Sequence, residues 1–293
     1  MQSPWALRYA SHMGYRSPDS PLFRHTVGSL EAGAHIDYAA NIGFAGIQNV
    51  FACTKSISEQ HLFGDRVQFR HLETGCMLYA SLDVIRRPCL SPRYGWAQEE
   101  FLGHIQNAVA VALRIRSRHI AILVAAAPEI AHGVQLRLLA EYLKRAAEIA
   151  ARADVHLGLE PLTSPALPTM VLRSLEDTVD VINLVGHPNV GLIFDTAHVQ
   201  ANETDAASRL AAVYGLVDVV QLADYPGRLE PGTGEVNFSA VLRELIRRDF
   251  SGLVELEHGW SQAGEEGERR GLDGLRQLDV SARRGMEPDH AAG

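Results

Sequence analysis

Short apolar segments alternate with longer amphipathic segments along most of the chain, from about residue 6 to about residue 280. His119–Ala125 is an almost continuous apolar run, which is typical of a strand buried on both faces of a parallel sheet. Val134–Ala153 spaces its leucines and alanines at helical intervals, so it predicts an amphipathic helix. The pattern therefore predicts strands and helices in regular alternation.

This alternation gives a fold class. The predicted strands are Ala6–Met13, Gly46–Phe51, Cys76–Val84, His119–Ala125, Leu157–Glu160, Val190–Asp195, Val217–Ala223 and Gly252–Glu257. The predicted helices are Gly28–Ile42, Gln98–Leu113, Val134–Ala153, a segment beginning at Ser174, Asp205–Tyr214, Phe238–Arg248 and Leu272–Leu278. Such an order in under 300 residues indicates the α/β class and a (β/α)8 TIM barrel. A doubly wound open sheet would normally show a glycine-rich phosphate turn after its first strand, and the sequence has none.

Residues 1–280 are thus predicted to form a single catalytic barrel domain, and residues 281–293 a disordered C-terminal tail. The composition, 46% hydrophobic and 21% charged, suits an ordinary globular protein. A net charge of −8 argues against nucleic acid or an anionic membrane as a partner. Cys53, Cys76 and Cys89 lack CxxC spacing and an even count, which favours a reducing cytoplasm over a disulfide scaffold. Because the start of the chain also lacks a signal-peptide pattern, we expect a cytoplasmic location.

Four predicted strands in the second half end on side chains that can bind a metal through oxygen, namely Glu160, Asp195, Gln221 and Glu257. The carboxyl ends of barrel strands converge on one mouth, so we expect these side chains to lie close together. Two carboxylates about 4 Å apart would repel each other by about 4 kcal/mol at an effective dielectric constant near 20. A divalent cation would remove that repulsion. An all-oxygen ligand set favours Mg²⁺ or Mn²⁺ over zinc, and Co²⁺ is also compatible.

Each of these residues also has a purely structural interpretation. Glu160 could cap a turn and Asp195 could cap a helix. Gln221 lies inside an apolar strand, where a buried amide needs partners. Glu255 shares the strand face of Glu257 one layer deeper, so either glutamate could be the ligand; the strand-end position favours Glu257, with Glu255 as a helper.

Two further residues have the chemistry to contact a substrate. His198 follows Asp195 by three residues and is expected at the barrel mouth. Arg228 lies in a loop rich in glycine and proline, Asp224–Glu235, which can bring its guanidinium close to a ligand. A guanidinium can bind a substrate carboxylate in a bidentate manner, although a surface salt bridge is the structural alternative for Arg228.

The second half of the chain resembles the hydroxypyruvate isomerase group of the xylose isomerase-like barrels, from about residue 157 to residue 280. The segments that carry this resemblance are Gly158–Leu162, Phe194–Val199, Val220–Phe238, Leu256–His258 and Ser261–Gly264. The resemblance implies a divalent metal on Glu160, Asp195, Gln221 and Glu257. It also implies that Glu160 and Glu257 double as the acid and base, while His198 and Arg228 bind the substrate.

The first half departs from this family pattern. Ser81–Val84 stands where the isomerases carry an Asn-Leu-Pro type of motif at the end of the third strand. The segment after the second strand, Asn49–Cys53, lacks the usual acidic and proline positions. His12, Tyr79 and Asp83 are therefore expected to line a pocket of a different shape.

These residues lead to a functional hypothesis with open alternatives. We expect a metal-dependent isomerase that converts a short α-hydroxy keto acid into its aldehyde isomer, as in hydroxypyruvate to tartronate semialdehyde, by an enediolate proton transfer. A ketose 3-epimerase or a dehydratase would use the same metal and glutamates. A non-catalytic ligand-binding barrel is the alternative of another class. The expected partner is a small hydroxy keto acid or sugar, and a homo-oligomer is compatible with the sequence.

Overall fold

The computed structural model describes residues 4–18, 20–90, 96–163, 167–202 and 205–284. The strands are β1 (Tyr9–His12), β2 (Gly46–Gln48), β3 (Glu73–Thr74), β4 (Met77–Leu78), β5 (His119–Ile122), β6 (His156–Leu159), β7 (Val190–Asp195), β8 (Val217–Leu222) and β9 (Val254–Leu256). The helices are α1 (Arg24–Val27), α2 (Ala32–Asn41), α3 (Ile57–Phe69), α4 (Leu82–Ile85), α5 (Ala97–Ile115), α6 (His132–Ala151), α7 (Leu175–Val185), α8 (Thr196–Asn202), α9 (Ala206–Val213), α10 (Phe238–Arg247) and α11 (Glu265–Arg284).

The strands form one parallel sheet in the order β3-β2-β1-β9-β8-β7-β6-β5-β4. The two end strands, β3 and β4, are consecutive in the chain and are separated only by Gly75 and Cys76; β4 lies within the predicted third strand, Cys76–Val84, whereas β3 precedes it. β3 pairs with β2, whereas β4 pairs with β5, and a bridge between Thr74 and Ser117 joins the two ends. The sheet therefore closes on itself with eight strand positions, and the predicted (β/α)8 barrel is confirmed.

The helices pack around the barrel with their apolar faces inward. In α6, Leu139, Leu143 and Ala146 are buried at the helical spacing that the sequence showed. Ser174 begins α7 as predicted, because its hydroxyl accepts a hydrogen bond from the backbone N–H of Asp177. Within the residues that the structure describes, no helix combines the length and the apolar character needed to cross a membrane.

Two predicted boundaries were wrong. The predicted third strand ends at Leu78, and Ser81 instead precedes the short helix α4. Leu82 and Ile85 lie on one helical face, and a short apolar run of this kind cannot be assigned from periodicity alone. The last helix continues to Arg284 rather than ending near residue 280, and the remainder of the predicted tail lies outside the described residues.

A buried carboxylate connects the end of the chain to its beginning. The side chain of Asp279 in α11 accepts hydrogen bonds from the Tyr9 hydroxyl at 2.9 Å and from the Ala6 backbone N–H at 2.8 Å. Tyr9 and Asp279 are both almost fully buried. This contact fixes α11 against β1.

Replacing Asp279 by alanine would leave two donors without their acceptor. We expect Asp279→Ala to lower the free energy of unfolding by roughly 2–4 kcal/mol, because each unsatisfied donor costs about 1–3 kcal/mol. Urea unfolding measures this loss. Asp273→Ala on the same helix is the matched control, since the ion pairs of Asp273 with Arg269 and Arg276 are largely exposed and contribute little. Equal losses in the two variants would contradict the role of Asp279.

Candidate active site

A cavity of about 600 Å³ opens at the carboxyl end of the barrel. Five of the six predicted site residues line it: Glu160, His198, Gln221, Arg228 and Glu257. Asp195, the sixth, is fully buried directly behind the wall and reaches the others through Arg228. The structure therefore brings all six into one region, as expected from strand ends that converge on one mouth.

The register of the sheet sets the depth of each side chain. Asp195 on β7 is the pairing partner of Gln221 on β8, and Gln221 is the partner of Glu255 on β9. Glu257 follows Glu255 by two residues, so it points to the same barrel interior one layer nearer to the mouth. Asp195, Gln221 and Glu255 thus form a deeper layer, and Glu257 lies above it.

Asp195 accepts hydrogen bonds at the start of a helix, as its structural interpretation expected, and also contacts Arg228. One carboxylate oxygen accepts hydrogen bonds from the backbone N–H groups of Ala197 and His198, which open helix α8. The other oxygen accepts a hydrogen bond from Arg228 at 2.7 Å. The helix fixes the orientation of the carboxylate, and the second oxygen stays directed at the site.

Arg228 is the cation at the centre of the site. The same guanidinium nitrogen, Nη2, donates to Asp195 and to an oxygen of Glu257 at 2.9 Å. The guanidinium carbon also lies 5.4 Å from the centroid of the Tyr15 ring. The backbone of Arg228 has a φ of 55°, a left-handed conformation that the tight loop imposes. The alternative of a surface salt bridge is excluded, because the partners are buried carboxylates.

The side chains of Glu160 and His198 lie next to each other in the cavity wall. Glu160 Oε1 lies 3.5 Å from His198 Nε2, and ligand atoms of Glu160, Asp195 and His198 lie within 4.8 Å of one another. His198 Nδ1 donates to the carbonyl of Thr163 at 2.9 Å, since a carbonyl can only accept. In that tautomer Nε2 carries a lone pair, which accepts a hydrogen bond from Arg228 at 2.9 Å. His198 is therefore held as a neutral ring, and burial lowers its pKa to about 4.

The buried amide of Gln221 has the partner that the sequence required, and this partner is Glu255. Its amide nitrogen donates to Glu255 Oε2 at 3.0 Å, and the amide of Gln48 donates to the same oxygen at 3.0 Å. The backbone N–H of Cys76 donates to the other oxygen of Glu255 at 2.6 Å. Glu255 is thus saturated by protein donors, whereas Glu257 lines the cavity. Glu255 is thus an inter-strand partner, as the sequence allowed, while the role of Glu257 as a ligand stays a prediction.

The carboxyl groups of the site have strongly altered pKa values. Burial raises the pKa of Glu257 to about 8, that of Glu255 to about 7, and that of Glu160 well above its usual range. Burial would also raise the pKa of Asp195, but the charge of Arg228 holds it below its ordinary value. One guanidinium therefore does not balance the four acidic groups, and protons must be retained unless another cation binds.

Unpartnered oxygen atoms show what kind of group would complete the site. Gln48 Oε1, Glu160 Oε1 and Gln221 Oε1 are buried and have no hydrogen-bond partner among the described residues. All three residues line the cavity. A buried acceptor without a partner costs about 1–3 kcal/mol, and a hard divalent cation satisfies oxygen acceptors without needing a proton. The residues present fit such an ion.

Tyr15 and Gln48 are among the cavity residues that sequence reasoning missed. Gln48 ends an apolar strand, as Gln221 nearly does, so the same signal was present in the sequence. The expectation that His12, Tyr79 and Asp83 line the pocket was wrong. His12 is buried against the carbonyl of His258, Tyr79 packs on Phe101, and Asp83 is exposed in α4.

The first half of the barrel gives the cavity an apolar wall instead. This wall consists of Val50, Met77, Leu78, Leu82, Ala121 and Leu123. The carboxylates of the cavity lie on the side of β6–β9, whereas the side of β2–β5 is mainly apolar.

The closed barrel and its acidic mouth define the chain as a (β/α)8 protein with a polar site at the carboxyl ends of its strands. The family model described as the xylose isomerase-like TIM barrel matches residues 36–278. The chain therefore belongs to this family, as the resemblance implied.

Individual relatives agree with this assignment. Hydroxypyruvate isomerase of Escherichia coli (strain K12) is 26% identical over 247 residues, which cover 83% of this chain and 93% of that enzyme. A 2-oxo-tetronate isomerase of Pectobacterium atrosepticum is 26% identical over 125 residues, 43% of this chain and 48% of that enzyme. The crystal structure of an AP endonuclease, family 2, from Brucella melitensis superimposes with a TM-score of 0.76 at 20% identity, covering 91% of this chain and 98% of that one. The last likeness shows the fold alone, whereas the two sequence relatives confirm the predicted enzyme class, isomerase.

The pH dependence of stability tests whether the buried His12 is neutral in the folded protein. Burial lowers the pKa of His12 from 6.5 to about 3, so the unfolded chain binds a proton in this interval that the folded chain does not. The contribution of neutral His12 to the free energy of unfolding is therefore fully present above pH 6.5, and it is lost as the pH falls toward 3. We expect His12→Gln to make the fall in unfolding free energy below pH 6.5 shallower by about 1.4 kcal/mol per pH unit. Urea unfolding over a pH series measures the slope.

The amide of glutamine can replace the hydrogen bond that His12 Nε2 donates to His258, so the variant should fold. His61→Gln is the control, because His61 is exposed on α3 and should leave the slope unchanged. An identical slope for wild type and His12→Gln would show that His12 is not held neutral.

Proposed function

We propose that this chain is a divalent-metal-dependent isomerase that interconverts a short α-hydroxy keto acid and its aldehyde isomer. Hydroxypyruvate and tartronate semialdehyde are the reference pair, which the relative from Escherichia coli suggests by its name. The observation that carries the proposal is a pair of buried glutamates, Glu160 and Glu257, on the wall of one cavity beside Arg228.

The reaction requires a group that removes a proton from one carbon and a group that returns a proton to its neighbour. A carboxyl group whose pKa is near the working pH can act in both directions. Burial raises the pKa of Glu257 to about 8 and also raises that of Glu160, so both glutamates exchange protons more readily near neutral pH than exposed ones would. We assign them as the acid and base pair.

The metal would be held by Glu160, Asp195, Gln221 and Glu257. This set supplies oxygen atoms only, which supports Mg²⁺ or Mn²⁺, with Co²⁺ as a further possibility. When bound, such an ion acts as a Lewis acid that polarises the carbonyl and hydroxyl oxygens of a substrate. The unpartnered oxygens of Glu160 and Gln221 support this assignment.

His198 and Arg228 are the proposed substrate-binding residues. Both line the cavity, and Arg228 already contacts two carboxylates, so its guanidinium is oriented toward oxyanions. Neutral His198, with its proton on Nδ1, can accept a hydrogen bond at Nε2 without adding charge. A substrate carboxylate would be recognised by the guanidinium.

The size of the cavity supports a second candidate. A volume of about 600 Å³ equals the share of about 20 water molecules in the liquid, far more than a three-carbon acid fills. A longer keto acid or a ketose would use this space, and a ketose 3-epimerase or a dehydratase needs the same proton abstraction. Product analysis by NMR with hydroxypyruvate, four-carbon keto acids and free ketoses separates these reactions.

Removing one proposed proton carrier tests the site directly. We expect Glu160→Gln to lower the isomerisation rate by at least about 100-fold, because positioned acid–base catalysis contributes about 10²–10⁴-fold. Incorporation of deuterium from D₂O into the substrate, followed by NMR, should disappear in parallel. The experiment uses protein loaded with Mn²⁺, and its metal content is measured so that loss of the ion and loss of the base are distinguished.

Glu235→Gln is the matched control for Glu160→Gln, since Glu235 is exposed in the loop that carries Arg228. Deuterium exchange at the wild-type rate in Glu160→Gln would overturn the assignment of Glu160. A wild-type protein that binds none of Mg²⁺, Mn²⁺ and Co²⁺ would instead favour a non-catalytic ligand-binding barrel.

A conservative substitution can separate the binding of a substrate carboxylate by Arg228 from the effect of its positive charge. Arg228→Lys keeps the positive charge beside Asp195 and Glu257 but cannot form a bidentate contact. We expect KM for hydroxypyruvate to rise by more than about tenfold, the equivalent of ~1.4 kcal/mol, because a charge-assisted contact is lost. Steady-state kinetics with dihydroxyacetone, which has no carboxylate, should show a smaller change. Equal changes for the two substrates would indicate that Arg228 only neutralises the site.

A further inference from the structure

A second group of metal-capable side chains lies at the opposite end of the barrel from the mouth. His119 and His156 are the first residues of β5 and β6, and they are direct partners in the register of the two strands. His156 Nδ1 lies 3.1 Å from an oxygen of Asp218 on β8. One potential ligand atom from each of the three residues lies within 4.8 Å of the other two. We call these three residues the basal cluster.

Asp218 reaches the histidines only because of two local irregularities. β7 separates β8 from β6 in the sheet, so a regular strand would not bring this side chain to His156. Leu192 pairs with Val217 and Ile193 pairs with Val219, so Asp218 is an extra residue in the ladder. A bulge of this kind turns a side chain out of its regular direction.

Gly191 on β7 supplies the space for the redirected carboxylate. A Cβ atom at this position would lie 2.2 Å from an Asp218 oxygen, closer than any side chain could tolerate. Only glycine therefore allows Asp218 to lie across β7. The bulge and the glycine are independent features of two strands, and both bring the carboxylate to the imidazoles.

An ordinary ion pair does not account for this arrangement. A partly exposed histidine–aspartate pair contributes little stability and needs neither a third residue nor a bulge. Burial lowers the pKa of His119, so its ring is neutral and retains a lone pair. The hydrogen bond to Asp218 raises the pKa of His156, and a cation could replace the proton that it holds. The side chains of His156 and Asp218 remain 33% and 25% exposed, which leaves a path for an ion.

We propose that the basal cluster binds one divalent transition-metal ion, with Zn²⁺ as the reference. Two imidazoles and one carboxylate are ligands that zinc, cobalt and nickel prefer, whereas Mg²⁺ favours oxygen. Three protein ligands would leave a position for water. The bound ion joins β5, β6 and β8 at the end of a barrel where residues serve stability. The site is remote from the mouth and does not depend on the function proposed for it.

The test is a Zn²⁺ titration by equilibrium dialysis on the full chain, in wild type and in the Asp218→Asn and His119→Gln variants. Asparagine has nearly the same shape as aspartate and fits above Gly191, so Asp218→Asn should fold. We expect each variant to bind one Zn²⁺ fewer than wild type, or to bind it more than about tenfold more weakly. His61→Gln, which removes an exposed histidine, should bind as wild type does. A crystal soaked in Zn²⁺ should show anomalous density between His119, His156 and Asp218.

Two measurements keep the result unambiguous. Melting in EDTA checks that each variant is folded before zinc is added, and His119→Gln decides the outcome if Asp218→Asn is unstable. Isomerase assays with Mg²⁺ separate the basal cluster from the mouth, because Asp218→Asn should not change that activity. The proposal would be overturned if the folded variants bound zinc as wild type does and no anomalous density appeared at the basal cluster. His156 and Asp218 would then form a hydrogen-bonded pair without a metal ion.

Discussion

The concentration of negative charge at the barrel mouth is the constraint on which the rest of the site depends. Four acidic side chains, Glu160, Asp195, Glu255 and Glu257, are buried within one wall. Their burial is compensated to different degrees. Asp195 is paired with Arg228 and with the start of a helix, and Glu255 is surrounded by amide donors. Glu160 has an oxygen without a described partner, so the remaining demand for positive charge converges on the cavity. The geometry that makes the burial of these carboxylates costly is the basis on which we propose that the site binds a cation.

Most of the candidate site could be predicted because it follows from strand periodicity. A polar residue that ends a buried parallel strand must point to the mouth, and Glu160, Asp195 and Glu257 obey this rule. The contacts of Gln221 and Gln48 with Glu255 could not be predicted in the same way. They depend on which strands lie side by side, and Gln48 and Glu255 are 207 residues apart in sequence. No local pattern encodes such a pairing.

The errors in the first half have a similar physical origin. Short apolar runs are ambiguous, so Ser81–Val84 was interpreted as a strand although it starts helix α4. The helix α3 was overlooked, yet Ser56 and Glu59 form a reciprocal capping box that was visible in the sequence. The bulge at Asp218 left no sequence signal of its own, since the strand around it is regularly apolar. Local chemistry predicts the elements, whereas irregularities between strands decide which side chains meet.

The break in the third strand has a consequence for how this barrel can be recombined with others. Between β3 and β4, Gly75 leaves no room for a side chain, because a Cβ would lie 2.4 Å from a Glu255 oxygen. The next backbone N–H, that of Cys76, donates to that same oxygen. The deepest carboxylate of the second half is therefore held by the main chain of the first half. A chimera that joins β6–β9 of this protein to a foreign first half must therefore include both Gly75 and Gln48. Without them, Glu255 would be transferred without the groups of the first half that orient it.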